Sequence, residues 1–183
     1  MSNIETIIAE QVLGEVTSKR GMMWEKIAEF QSQLEEIEGV FTHKSGEEQS
    51  EGLQTYFPLE HTFEGGLYTR QIFMPKGAVV VSMIHKKQHP SFLLKGELSY
   101  LTDEGKIVRI KAPYTVFTQA GAQRVFYIHE DVVWTCVHKT NKTNVREAEL
   151  ELFSNDFKDL PKSIIDKRKK ICQQQQQQPL LQE

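Results

Sequence analysis

Three histidines, His85, His89 and His129, are the side chains in this sequence that best fit a metal site, because neutral imidazole is a common ligand of divalent transition metals. On a regular strand, the spacing of four between His85 and His89 would place both side chains on one face, about 13 Å apart. A single ion needs nitrogens at about 2.0–2.1 Å. A turn or bulge at residues 86–88 would bring the two histidines together, and Pro90 indicates that His89 is leaving the strand ladder.

His129, which begins the Glu130-Asp131 turn, is the predicted third ligand. The expected cofactor is then one divalent transition-metal ion, with Fe, Mn, Ni and Zn all open. The alternative is that the three are loop histidines that bind nearby backbone, in which case the protein holds no metal. The sequence identifies no catalytic residue.

Arg70, Arg124 and Tyr127 are the candidates for contact with a bound small molecule. An arginine inside a barrel needs an anion, which could be Glu97 or an anionic ligand. Arg124 shares a strand face with residues 126 and 128, whereas Tyr127 and His129 share the other face. Both faces are apolar, so the pattern does not decide which one points inward. The alternative for each arginine is a surface position with its alkyl stem covering the rim.

These residues lie within a run of short β segments that extends from Gly66 to about His138. The predicted strands are LYTRQIFM, AVVVSMIH, SFLLKGELSYLT, KIVRIKA, YTVFTQ, RVFYIH and VVWTCVHK, with turns at Pro75–Gly77, 103–105 and 130–131. About seven strands at nearly regular spacing, with no helix-length gap between them, favour an antiparallel sandwich or barrel. The fold class is therefore mainly β.

Helical segments flank the β region. Apolar residues recur at helical spacing over residues 3 to about 38, and Gly21 divides this stretch into two amphipathic helices. We predict a helical segment at 1–40, a linker at 41–59, the barrel at 60–140, a helical extension at 141–172 and a low-complexity tail at 173–183. The six glutamines of the tail predict disorder for this segment in isolation.

Composition excludes several classes of protein. The net charge of −3 provides no basic field for nucleic acid, and the Lys167–Lys170 run is too short to change that expectation. No apolar run approaches the roughly 20 residues of a membrane span, and the N-terminus lacks the pattern of a signal peptide. Two cysteines offer neither a disulfide framework nor a CxxC zinc motif, which suits a reducing cytosol.

The block of residues 61–138 resembles cupin-like proteins of the kind that bacteriophages encode. The first cupin motif corresponds to Pro75-Lys76-Gly77, His85, His89 and Lys95-Gly96-Glu97, and the second to residues 119–124. The resemblance implies a single cupin-like antiparallel β-barrel, or jelly roll, with N-terminal amphipathic helices and a short helical, Gln-rich C-terminal tail. Two ligand positions depart from the family pattern, because Leu93 stands at the glutamate position and Arg124 at that of the last histidine.

Two functions follow from this resemblance. The first is a binding or interaction module, a scaffold in a phage particle or a protein that binds a host factor. The alternative is a metal-dependent enzyme acting on a small molecule, of the isomerase, epimerase or dioxygenase class. In either case we expect a homodimer, or else other phage or host proteins as partners. We expect neither a membrane nor nucleic acid as a partner. The expected location is the cytoplasm, which for a phage protein is that of the bacterial host. The alternative location is the virion.

Overall fold

Three helices precede the β region in the computed structural model, which describes residues 3–19 and 21–176. These are α1 (Asn3–Ser18), α2 (Met23–Glu35) and α3 (Glu51–Tyr56). Gly21 separates the first two with a φ of +104°, a conformation that glycine adopts without steric cost. The third lies in the stretch predicted as a linker. It forms because the Ser50 side chain accepts a hydrogen bond from the Leu53 N–H and because Leu53 is buried.

Eight strands follow before the next helix. They are β1 (Leu59–Glu64), β2 (Leu67–Met74), β3 (Val79–Val81), β4 (Ile84–His85), β5 (His89–Leu101), β6 (Ile107–Lys111), β7 (Tyr114–Thr118) and β8 (Val125–Lys139). β1 begins before the first predicted strand. β8 runs through the predicted turn at residues 130–131, so two predicted strands are one bent strand.

The two long strands organise the sheet, and every strand pairing in it is antiparallel. The carboxyl-terminal half of β8 lies between β2 and the start of β5, and this layer continues to β1 on one side and to β7 on the other. The amino-terminal half of β8 lies between β3 and the end of β5, which pairs with β6. The sheet is thus folded over on itself in two layers. This topology confirms the predicted mainly β, antiparallel barrel.

The sheet bends where the pairing of β5 with β8 shifts register, between Leu93 and Leu98. Gly96 has a φ of +85°, and a Cβ added to it would lie 2.2 Å from the backbone oxygen of Asp131. Only a residue without a side chain allows the two strands to approach this closely while β5 turns. Gly96 therefore fixes the bend that separates the two layers.

Side chains of β8 alternate between the barrel interior and a helical cover. Phe126, Ile128, Val132, Trp134 and Cys136 belong to the core between the layers. Val125 and Tyr127 face outward and pack against α1 and α2. The outer face of β8 is buried by these helices, which explains why both of its faces are apolar in the sequence.

The chain after the barrel forms α4 (Val145–Leu152), β9 (Phe153–Ser154), a 3₁₀ turn (Phe157–Asp159) and α5 (Lys162–Gln176). β9 pairs with β4, which attaches this segment next to His85. The ring of Phe157 stacks on Trp24 of α2 at a centroid distance of 4.4 Å. Residues 177–183, most of the predicted low-complexity tail, lie outside the described residues. Within the described residues, no helix is long and apolar enough to cross a bilayer.

Replacing Gly96 by alanine is expected to lower the free energy of unfolding by about 3 kcal/mol, because left-handed backbone strain adds to a clash with Asp131. Gly65→Ala is the matched control. Gly65 also has a positive φ, +56°, but its added Cβ meets nothing within 4 Å. That change should cost only about 1 kcal/mol. Urea denaturation measures both values, and equal losses would contradict the role of Gly96 in the bend.

Candidate metal centre and ligand cavity

The turn between β4 and β5 brings His85 and His89 together. Their ring centroids lie 4.5 Å apart, which is the converged arrangement that the sequence left open. The backbone around His85 is held by two hydrogen bonds, from its own N–H to the Ala122 oxygen at 3.0 Å and from the Gly121 N–H to its oxygen at 2.7 Å. The Lys86 N–H donates to the Leu152 oxygen at 2.8 Å. Contacts distant in sequence thus define the turn.

His138, near the end of β8, is the third histidine of the cluster, the place that was predicted for His129. Its ring centroid lies 4.0 Å from that of His89 and 6.0 Å from that of His85. The candidate ligand atoms of the three histidines all lie within 4.8 Å of one another. His138 points inward because it has the same parity along β8 as Trp134 and Cys136.

His129 does not join this cluster, so its predicted place beside His85 and His89 is wrong. It lies where the register of β8 against β5 shifts, on the side of the strand that faces the helices. Its Nε2 and the Ser99 hydroxyl are 2.8 Å apart, and its ring packs edge-on against Tyr127. The bulge and the strand parity together direct His129 away from the barrel interior.

The three clustered histidines are buried and neutral. Burial lowers the pKa of His89 to about 4 and that of His138 to about 3, and it holds the pKa of His85 well below its usual value. The neighbouring histidines lower the pKa values of His85 and His138 further, because a second positive charge in the cluster is unfavourable. At neutral pH each ring therefore carries an unprotonated nitrogen.

Several of these ring nitrogens lack a hydrogen-bond partner among the described residues. They are Nδ1 of His85, Nε2 of His89 and both nitrogens of His138. Nδ1 of His89 lies 3.1 Å from the Lys87 oxygen, to which it can donate, and this tautomer leaves an acceptor lone pair on Nε2. Buried polar atoms are nearly always paired, so unpaired acceptors from three histidines in one place are unusual.

These features fit a divalent transition metal. Nitrogens bound to one ion at about 2.0–2.1 Å lie roughly 3–3.5 Å from one another, so rotations of the rings within the 4.8 Å cluster would suffice. Neutral imidazoles need not lose a proton before they bind. Tyr68 stacks on the ring of His138, and Phe153 lies edge-on against the rings of His85 and His138.

A cavity of about 740 Å³ adjoins the cluster, and His85 contributes to its wall. Its other walls come from both layers of the sheet, from β3 and from the segment between α2 and β1. The apolar lining includes Phe57, Ile72, Met74, Val80, Phe126 and Trp134, and the polar lining includes Arg70, Ser91, Thr118 and Arg124. A largely apolar chamber with a few polar groups is typical of a small-molecule site.

Arg70, a predicted ligand-binding residue, lines the cavity but already has an anionic neighbour. Its Nε lies 3.4 Å from the carboxylate of Glu149, which α4 inserts into the interior at 1% exposure. Glu149 also lies 3.6 Å from His43 and accepts a hydrogen bond from the Gly46 N–H. Burial alone would raise the pKa of Glu149, yet these partners hold it below its usual value. The sequence did not indicate Glu149, because its partners lie far away along the chain.

Arg124 also lines the cavity, whereas Tyr127 does not. Arg124 directly precedes β8, is only 7% exposed, and places its guanidinium 4.7 Å from the ring centroid of Tyr100. Tyr127 packs under α1 and α2 on the opposite face. The structure therefore does not bring Tyr127 to this cavity with Arg124, and the surface alternative for Arg124 is wrong. The parity argument that separates the two residues is correct.

Cys136 lies on the cavity wall but lacks the surroundings of a reactive thiol. Burial raises the pKa of its thiol, so the protonated form dominates at neutral pH. Its sulfur lies 3.5 Å from the Ser91 hydroxyl, which in turn lies 3.0 Å from the Thr118 hydroxyl. This chain provides hydroxyl groups that a bound molecule could use.

Comparisons with known proteins indicate similarity only to solved structures. No protein family model and no curated protein matches the sequence. Similar structures include a cupin 2 domain-containing protein from Halorhodospira halophila, with TM-score 0.43, 8% identity and coverage of 80% of this chain and 90% of that one. The cupin domain of an XRE family transcriptional regulator from Enterobacter cloacae has TM-score 0.40, 14% identity and coverage of 47% and 98%.

An acetylacetone dioxygenase from Acinetobacter johnsonii is similar at TM-score 0.39 and 14% identity, with coverage of 56% of this chain and 78% of that one. All of these TM-scores are below 0.5, so the similarities do not indicate what this chain does. The functional interpretation therefore depends on the arrangement of its own residues.

The metal-free protein is expected to lose stability as the pH falls from about 6.5 toward 5. In this window the clustered histidines become protonated in the unfolded chain but stay neutral in the folded one, so the unfolded state binds more protons. Each histidine contributes up to about 1.4 kcal/mol of lost stability per pH unit. Urea denaturation at pH 7.5, 6 and 5 measures the slope, and His138→Gln should reduce it. A pH-independent midpoint would contradict the burial of neutral histidines.

Proposed function

We propose that this protein holds one divalent transition-metal ion on His85, His89 and His138 and presents it to a small molecule bound in the adjoining cavity. The observation that carries this proposal is the convergence of three buried, neutral histidines whose candidate ligand atoms lie within 4.8 Å. The arrangement favours the metal-dependent function over the scaffold role that the sequence ranked first. The enzyme class would be that of an isomerase, epimerase or dioxygenase.

Three protein ligands suit a catalytic metal better than a structural one, because they leave coordination positions open. Leu93, where the cupin pattern has a glutamate, is fully buried and adds no fourth ligand. A bound ion would supply Lewis-acid polarisation of an oxygen on the small molecule. The protein's own part is to exclude water with the apolar walls and to offer the hydroxyls of Ser91 and Thr118.

The donor set narrows the identity of the metal. An all-imidazole site suits zinc, iron, nickel or copper, whereas manganese prefers sites with more oxygen ligands. Cys136 supplies no thiolate, since its thiol is protonated and contacts Ser91. Of the metals expected from the sequence, this supports iron, nickel and zinc ahead of manganese.

Purified protein that has been stripped and reloaded is expected to bind one equivalent of Zn²⁺ or Ni²⁺, as measured by elemental analysis after gel filtration. His138→Gln should weaken binding by more than about 100-fold, because even the loss of an outer-shell partner costs 10–100-fold. His129→Gln is the matched control and should bind like the wild type, since His129 bonds to Ser99 outside the cluster. Equal loss in both variants, or no uptake by the wild type, would contradict the proposal.

We infer an interaction role as the second candidate, favoured by an exposed apolar strip on the outer face of β5 and β7. Leu94 and Phe117 are 54% and 60% exposed, and half-buried Phe92 lies between them on the same face. Such a strip fits self-association into the homodimer expected from the sequence. Assembly into a phage particle and binding to a host factor stay predictions.

Sedimentation velocity is expected to detect a dimer that Phe117→Lys converts to a monomer, because a charge in place of the most exposed residue of the strip opposes its burial. Ile37→Lys is the control, since Ile37 is 57% exposed but lies after α2, away from the strip. A monomeric wild type, or a dimer that survives Phe117→Lys, would exclude this face as the interface.

A further inference from the structure

Among the buried cations of the described residues, Arg124 differs because no described carboxylate neutralises it. Its side chain is more than nine-tenths buried, and its Nε has no hydrogen-bond partner in the part of the chain that the structure describes. Its backbone is fixed by two hydrogen bonds to Ser82, at 2.9 and 3.0 Å. The guanidinium therefore has a defined position on the cavity wall and does not reach solvent.

The buried and half-buried carboxylates near the barrel are already paired with other cations. Glu149 lies against Arg70 and His43. Glu97 pairs with Arg109 and Lys111, and Asp103 pairs with Arg168 at 2.6 Å. In the described residues, no carboxylate lies within 4.0 Å of the Arg124 guanidinium.

The face of Tyr100 offsets part of the cost of burying this charge. A guanidinium 4.7 Å from an aromatic centroid gains a cation–π attraction, but that attraction is weaker than pairing with an anion. A buried cation without a counter-ion is unfavourable unless something else supplies the negative charge. Because Arg124 faces a cavity, a molecule in that cavity can supply it.

We propose that the cavity binds a small monocarboxylate whose carboxylate group is held by the guanidinium of Arg124. A guanidinium presents two parallel N–H groups that match a carboxylate. One un-neutralised cation balances one negative charge, so a monoanion fits better than a phosphate ester with nearly two charges. Phe126 and Trp134 line the same cavity and would contact an apolar body. This inference deepens the proposed function, since the acid would share the cavity with the metal.

The test uses hexanoate and hexanamide, two probes with the same apolar chain that differ in charge. Calorimetric titration of the metal-free protein should give hexanoate about tenfold tighter binding than hexanamide, as expected for a charge-assisted hydrogen bond. Arg124→Met should abolish this preference. Arg146→Met, which removes an equal charge from the exposed surface of α4, should keep it. Equal affinities for both probes in the wild type, or a preference that survives Arg124→Met, would overturn the proposal.

Further measurements keep the test decisive. Arg124→Met should melt no lower than the wild type without ligand, because it removes a buried charge. If it does not fold, Arg124→Lys replaces it and should retain the preference for hexanoate at reduced affinity. Hexyl phosphate should bind more weakly than hexanoate, and tighter binding would overturn the choice of a monocarboxylate. Zinc uptake is measured for each variant to separate the two proposals. A protein that prefers hexanoate but takes up no zinc would refute the metal site and leave the carboxylate site standing.

Discussion

The pairing of two long strands, β5 and β8, around a bend at Gly96 organises the barrel, its core and its cavity. The close approach of Gly96 to Asp131 lets both strands pass from one layer to the other without losing their pairing. The core forms between these layers, and β8 crosses it from its start, directly after Arg124, to His138 near its end. The cavity and the histidine cluster both use side chains that this strand directs inward.

The second constraint is electrostatic. The barrel interior buries the three clustered imidazoles and the guanidinium of Arg124, and burial has a different effect on the charge of each kind of group. The imidazoles can shed their charge, so burial lowers their pKa values and leaves them neutral. The guanidinium of Arg124 cannot, because arginine stays protonated in proteins. The site therefore combines neutral donors for a cation with a fixed cation for an anion, and we infer that the metal lies beside the cavity that holds the acid.

Much of the fold could be predicted from the sequence, because strand runs, turn residues and helical spacing are local signals. The convergence of His85 and His89 was open, since it depends on hydrogen bonds to residues 121, 122 and 152, far along the chain. His138 was missed although it shares parity with Trp134 and Cys136. The sequence did not indicate which face of β8 points into the barrel, because both faces are apolar and α1 and α2 bury the outer one. For the same reason the outward position of His129 could not be predicted, although the sequence placed it on the same face as Tyr127.

X-ray absorption spectroscopy of the zinc-loaded protein tests the three-histidine metal site, because it reports the atoms bound to the metal. We expect three imidazole nitrogens at about 2.0–2.1 Å from the zinc and one or more light-atom ligands from solvent or solute. A first shell containing sulfur at about 2.3 Å, or one without multiple imidazoles, would contradict the assignment of His85, His89 and His138 as the metal site.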